Sequence, residues 1–345
     1  MLKRETLRNA GILFLSAAVS ICLAEILVRS FVPVRDVGPV FSVHDPVLGK
    51  RIKASFTAER ITPEFRMRFT TNSLGFRGPE PDGFRLRPIL FLGDSFTLGY
   101  GVSDGEEYPA RVSAELRRRY GKAAPPVVNA GIGNSGNGFW VKLLQREAEA
   151  MQPRLVVMQI FENDFADNLD EKLFALEPGG SLRDLPVPAP GVMRRMEALI
   201  QAVPGLSYSH LVGLLREVRA PTFGSQAKSV PEARRQQGLD PSDQLTFRIL
   251  EEAISICEGR GWKVIGLLVG LSHAHEAAAK ELFARRKHPV VLIPAKSERP
   301  DLYYKVDGHW HAGGHVFVAD RVLEALELET PVGGPQPRGS PLFPI

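Results

Sequence analysis

Four short stretches of the 345-residue chain carry side chains able to do nucleophilic or acid–base chemistry. They are Gly93, Asp94 and Ser95 in FLGDSFTLG, Asn129 and Gly131 in VVNAGIGNSG, Asn163 and Asp164 in FEND, and Asp307, His309, His311 and His315 in DGHWHAGGH. A serine hydroxyl is a weak nucleophile unless a neighbouring base takes its proton and donors hold the oxyanion that follows. An imidazole of ordinary pKa, about 6.5, can take and return that proton at neutral pH, and a carboxylate can orient its second nitrogen.

The same residues admit other chemistry. Asp307, His309, His311 and His315 are ligand types at spacings that suit zinc. GIGNSG at 131–136 fits the dinucleotide pattern G-x-G-x-x-G, but it accounts for neither Ser95 nor the Asp-x-His pair. Plain structural readings stand beside these: Asp94 or Ser95 as a helix cap, Gly131 as a turn glycine, and Asn163 with Asp164 as a strand-end turn. His273, His275 and Glu276 read as a solvated helix start after Ser272, and His311 and His315 as site-lining or surface residues.

To act together, these stretches must be brought to one place by the elements around them. Apolar runs at 89–92, 127–130, 155–161, 264–269 and 290–293 are short and rich in aliphatic residues, as in buried parallel strands. Between and after them, 107–120, 138–151, 243–259, 273–286 and 313–328 repeat apolar residues at three- and four-residue spacing. Alternation of this kind predicts an α/β fold, a three-layer α/β/α sandwich with a mostly parallel, doubly wound sheet. Each chemical stretch then falls at a strand end or just before a helix, where α/β sites form.

The alternation lapses over 165–242, a helical insertion with short amphipathic helices at 192–203 and 208–218, read as a packed cap or as a lid over the site. The remaining divisions are 1–10 as a cytoplasmic N-terminus, 11–29 as a transmembrane anchor or signal peptide, 30–84 as a linker and lead-in segment, 85–330 as the main domain and 331–345 as a flexible tail. Lys3, Arg4 and Arg8 precede the apolar run and predict that the domain lies outside the cytoplasm. Glu25, near the end of that run, is expected to reach the membrane interface or pair with Arg29. With 44% hydrophobic residues, 24% charged residues and a net charge of only +4, the chain reads as globular and offers no nucleic-acid-binding surface. Cys22 and Cys257 make no disulfide framework.

Taken together, GDS, NAG, FEND and DGHWHAGGH resemble, in order and spacing, the four blocks of the SGNH (GDSL-like) hydrolases over roughly 87–328. NSLGFRGPE also resembles the lead-in of envelope members with an N-terminal anchor. The resemblance implies Ser95 as nucleophile, His309 as general base and Asp307 as its orienting carboxylate. It implies an oxyanion hole built from the Ser95 and Gly131 backbone N–H groups and the Asn163 amide. Phe161 stands where the third block commonly has glycine, the last block is Asp-x-His, and His311 stands where asparagine is common, so Asp94 or Asp164 remains an alternative partner for His309. The expected activity is that of a serine esterase or acyltransferase acting on an acyl ester, such as an O-acetyl ester, of an extracytoplasmic carbohydrate or lipid, through an acyl-Ser95 intermediate. No cofactor or metal is expected, the membrane is a partner through the N-terminal helix, and the sequence leaves protein partners open. The alternative is a catalytically inactive polysaccharide-binding module of the cell envelope.

Overall fold

The computed structural model describes residues 2–34, 37–80, 87–219, 239–240 and 242–329. The chain opens with one long helix, α1 (Leu2–Phe31), whose apolar window has a mean hydropathy of 2.3 and is only 6% buried. It is long and apolar enough to cross a membrane, and its exposure sets it apart from a core helix.

The segment after α1 is folded, which its reading as a linker did not anticipate. Two antiparallel hairpins form, β1 (Ser42–Asp45) with β2 (Gly49–Ile52) and β3 (Thr57–Ile61) with β4 (Arg66–Thr70). Ala58 and Arg60 on β3, and Met67 and Phe69 on β4, face inward while Arg66 and Arg68 face out, a period-two pattern. Leu48, Ile52, Phe65, Met67, Phe69 and Phe76 bury into the main core, so the hairpins belong to the domain.

The central sheet has five parallel strands in the order β11-β10-β7-β5-β6, formed by β5 (Ile89–Leu92), β6 (Val127–Asn129), β7 (Leu155–Phe161), β10 (Lys263–Val269) and β11 (Val290–Ile293). All five strands expected from the sequence are present. Alternate residues face opposite layers: Leu90, Leu92, Val156, Met158 and Ile160 enter one core, and Ile89, Phe91, Leu155, Val157 and Phe161 the other. The first core lies beneath α4 (Gly138–Arg146), α9 (Asp243–Gly259) and α10 (His273–Arg285). The second lies beneath α3 (Tyr108–Tyr120) and α11 (Ala312–Glu329). This is the three-layer α/β/α sandwich. From β5 the chain steps outward to β6 and then returns to the other side through β7, so the order reverses beside the carboxyl end of β5.

Beyond β7 come α6 (Asp164–Glu171), a small hairpin of β8 (Phe174–Leu176) and β9 (Leu182–Asp184), then α7 (Val192–Ala202) and α8 (His210–Arg219). Leu173 and Phe174 seal the core over α4, which supports the cap reading for this first half. Residues 220–238 and the tail at 331–345 lie outside the described residues.

Arg77 ties the lead-in segment to the domain. Its side chain is fully buried, and it donates to the carbonyls of Leu98 (2.9 Å), Gly99 (2.8 Å) and Val102 (2.8 Å), while Nε reaches Asp104 at 3.2 Å. These carbonyls end α2 (Ser95–Leu98), the turn of helix that begins at Ser95, where Gly99 takes a positive φ of 82°. A planar fork of donors can satisfy several fixed acceptors where an ammonium cannot. Removing it leaves buried carbonyls and Glu107 without their partner. Arg77→Met should therefore cost about 3–5 kcal/mol, and Arg77→Lys should recover only part of it, as read by denaturant unfolding.

Candidate active site

Ser95 begins α2 directly after β5. Asp94 caps that helix, its Oδ1 accepting the Phe96 N–H at 2.8 Å, and so sets the turn that lifts Ser95 off the strand. His309 arrives from the loop before α11, with its ring packed between Phe96 and Tyr100, each 5.0 Å away by centroid. Ser95 Oγ lies 2.7 Å from His309 Nε2, and Asp307 Oδ1 lies 2.5 Å from His309 Nδ1. Of the three carboxylates that the sequence left open, it is Asp307 that meets the ring. Ser95 is 9% and His309 6% exposed, and Asp307 is part-buried beside them. Such a chain of contacts can pass a proton from hydroxyl to imidazole while the carboxylate holds the ring's other N–H.

The donors expected around Ser95 are placed unequally. Asn163 follows β7, and its Nδ2 donates to Asp167 at 2.8 Å while its Oδ1 is buried with no hydrogen-bond partner among the described residues. Gly131 packs so closely on α2 that a Cβ there would stand 2.2 Å from Leu98 N, which requires glycine. Its N–H is directed at Asn129 Oδ1, 3.1 Å away. Gly133, two residues on, lies alongside Ser95: a Cβ built on it would be 3.6 Å from Ser95 Cβ. Asn134 follows with a positive φ of 52°.

Several supporting residues escaped the sequence reading, and three of them lie in the lead-in segment. Glu64, between β3 and β4, accepts the N–H groups of Val306 (2.9 Å) and Asp307 (2.6 Å), and so holds the loop that carries Asp307. Lys50 on β2 reaches the Asn134 carbonyl and pairs with Glu171 at 2.8 Å. Arg77 holds the end of α2. Gln159 on β7 gathers the Asp94 N–H (3.1 Å) and Thr97 Oγ1 (2.9 Å). A charged residue in an alternating hairpin was the available signal, since such a pattern marks a strand with an inner face.

The remaining histidines serve elsewhere. His311 Nε2 lies 2.7 Å from the Asp301 carbonyl, and its Nδ1 accepts the Gly313 N–H at 3.0 Å, at the start of α11. His315 is buried, its Nδ1 accepting the Tyr108 N–H at 3.2 Å, and burial holds its imidazole well below the ordinary range. The four-residue zinc reading is thereby dispersed, and no cluster able to hold a metal ion occurs among the described residues. His275 also departs from the solvated reading: Ser272 caps the helix, but His275 is buried between Glu162 (3.0 Å) and Asp243 (2.9 Å). Burial opposes its charge, yet its bonds to the two carboxylates prevail and raise its pKa.

A serine, an imidazole and a carboxylate meeting at the strand-order reversal of a parallel sheet define an α/β serine hydrolase arrangement. The sequence over residues 89–235 matches the family described as GDSL-like lipase/acylhydrolase. Over these residues, which include Ser95, Gly131 and Asn163 but not Asp307 or His309, the chain is similar to that GDSL-like family. Similar solved structures include LAE5, an α/β hydrolase from the metagenome of Lake Arreo, Spain, at 14% identity and TM-score 0.41, covering 70% of this chain and 95% of that one. A catalytic mutant of Axe2, an acetylxylan esterase of Geobacillus stearothermophilus, aligns at 13% identity and TM-score 0.39, covering 70% and 94%. A two-domain esterase active on acetylated mannans aligns at 15% identity and TM-score 0.42, covering 74% and 54%. No curated protein matches the chain at a significant level.

Carboxylates crowd behind the Ser95 turn. Burial pushes the Asp94 carboxyl up to about 6 and the Asp167 carboxyl up to about 7, and burial with the nearby Asp94 raises Asp164 as well. A carboxyl raised in the folded state stabilises the fold below its unfolded value, about 4, and that contribution is lost as pH climbs through the folded value. His275, also raised, loses its contribution in the same direction, above about 6.5. Buried His315, held neutral in the fold, works the other way up to about pH 6.5, so thermal melts should show Tm falling from about pH 6.5 to about pH 8, with Asp167→Asn flattening the slope and raising Tm at the alkaline end. A flat profile in the unaltered protein would contradict the carboxylate assignment.

Proposed function

We propose that Ser95, His309 and Asp307 are the catalytic residues of an acyl-ester hydrolase or acyltransferase that works through an acyl-Ser95 intermediate. The observation that carries this reading is the Ser95 Oγ to His309 Nε2 contact of 2.7 Å, with Asp307 on the ring's other nitrogen. Ser95 Oγ attacks the ester carbonyl as His309 Nε2 takes its proton, and the imidazolium returns that proton to the leaving alcohol. Asp307 holds Nδ1–H and offsets the imidazolium charge. The tetrahedral oxyanion is met by the Ser95 N–H, the Asn163 amide and a backbone N–H of the turn at 131–133. Within that turn Gly131 serves once Asn129 Oδ1 releases its N–H, and Gly133 is the residue closest to Ser95. Water or a sugar hydroxyl then accepts the acyl group, which separates hydrolysis from transfer.

The substrate we infer is an O-acyl ester, such as O-acetyl, of a carbohydrate or lipid outside the cytoplasm. It is supported by α1 as a membrane anchor, with Arg4 and Arg8 before the apolar stretch favouring an external domain, and by the likeness of NSLGFRGPE to envelope members.

Fluorophosphonate labelling and turnover of a short-chain aryl ester test the assignment. Ser95→Ala and His309→Ala should each lower turnover by more than about a thousandfold and abolish labelling. Glu64→Ala should lower kcat with KM little changed, because it loosens only the Asp307 loop. Equal labelling of the unaltered protein and both site variants would leave a binding module as the better account.

A further inference from the structure

The second half of the insertion is fastened to the end of α1. Glu25 accepts three bonds at the start of α8, from Ser209 Oγ (2.6 Å) and from the N–H groups of His210 (2.9 Å) and Leu211 (2.9 Å). A carboxylate at this position satisfies free N–H groups and meets the positive end of the helix. The expected pair with Arg29 is also present, at 3.7 Å with Arg29 mostly exposed, so these three bonds add to it. Val28, Val34 and Val37 pack with Leu211 and Leu214 of α8. Gly38 donates to the Ser207 carbonyl (3.1 Å) and accepts from Arg216 (2.9 Å). The position of α8 is therefore set relative to α1, and Arg216 of α8 holds Glu197 of α7 at 2.6 Å.

On α7 an apolar row stands open. Val192, Met196 and Leu199 are 72%, 37% and 69% exposed, at spacings of four and three residues, which places them on one face of α7, and Val203 (51%) follows just past the end of the helix. Leu215 (45%) and Val218 (70%) continue the exposed surface on α8.

A hydrocarbon core about 30 Å thick takes roughly 20 helical residues. A span beginning near Gly11 therefore leaves the bilayer near Ser30, within a turn or two of Glu25 and the start of α8.

We propose that α7 and α8 form a second membrane contact, lying in the outer bilayer interface with the Val192, Met196 and Leu199 face of α7 in the lipid. The inference rests on the reading of α1 as a membrane span. A lipid surface is the occupant that continuity selects, because α8, which carries the exposed Leu215 and Val218 and is tied to α7 by Arg216 and Glu197, packs on the end of the helix whose own apolar surface requires lipid. An amphipathic helix in this position gains from burying its apolar face among the headgroups and acyl chains. With α1 alone the domain can swivel about one point, and a second contact fixes its height and the direction in which the Ser95 crevice faces.

The full chain, carrying Cys22→Ser and leaving the buried Cys257 in place, is labelled with an environment-sensitive dye at one introduced cysteine and reconstituted into phosphatidylcholine–phosphatidylglycerol liposomes, with or without quencher-bearing lipids. The three labelled variants are Leu15→Cys in α1, Leu199→Cys in α7 and Leu292→Cys on the edge strand β11. Aryl-ester turnover equal to that of the unlabelled protein reports that the fold is kept. The proposal expects quencher lipid to remove most of the fluorescence at 15 and 199 and to leave 292 unchanged. Loss at 15 with none at 199 overturns it while keeping the anchor. A dye at 199 that is blue-shifted yet blind to quencher lipid also overturns it, in favour of a second copy or another segment of the chain. No loss at 15 removes the anchor reading, and this proposal with it.

Discussion

Both ring nitrogens of His309 are engaged, one by a residue 214 positions earlier and one by a residue two positions earlier. Everything around the crevice follows from holding that ring still. Phe96, within the short helix begun by Ser95, and Tyr100, just beyond it, both pack on the ring, so the helix that presents the hydroxyl also positions the imidazole. Side-chain freedom lost in this way is repaid by packing, and the two contacts need no rearrangement before a proton moves.

The sheet alone does not secure this geometry. It brings the ends of β5, β6 and β7 side by side, but each is followed by a loop whose polar backbone must find partners. The hairpins before the sheet provide them, through Arg77 at the end of the Ser95 helix, Lys50 at the Asn134 carbonyl and Glu64 at the Asp307 loop. Three charged side chains from one small region thus hold three separated loops. Behind Ser95 the arrangement is less comfortable, because Asp94, Asp164 and Asp167 share a poorly solvated space and resist ionising together. The Asn163 amide is held by one of these carboxylates, Asp167, so the same crowding that costs stability at alkaline pH also bears on the residue that follows the end of β7.

At its other end the domain is joined to α1 through Glu25. A carboxylate near the edge of an apolar helix is costly unless it is hydrogen-bonded, and the start of α8 supplies three donors to it. The insertion therefore has two unlike halves: β8 and β9 close over the core, while α7 and α8 belong with the N-terminal helix.

Residues whose role is written in their near neighbours could be read from the chain alone. The five buried strands, the amphipathic helices, the apolar α1 and the turns bearing Ser95, Asn163 and His309 all leave a periodic or clustered trace, because burial along a regular element repeats at its own spacing. Even the hairpins at 57–70 carried that trace, in the alternation of Arg66, Met67, Arg68 and Phe69, though charge and turn residues masked it. Pairings across long separations left no such mark. Glu64 meets Asp307 over 243 positions and Glu25 meets Leu211 over 186, and nothing near either residue announces its partner. His275 looked like a solvated residue at a helix start because neither Glu162 nor Asp243 is near it in sequence. Gly131 was recognisable as a glycine at a strand end, but the direction of its N–H depended on where Asn129 pointed after folding. Local pattern thus decided which elements form and which side chains stand at their ends, while the meeting of those ends, and hence the hydrogen bond each polar atom makes, was decided only when the three layers packed.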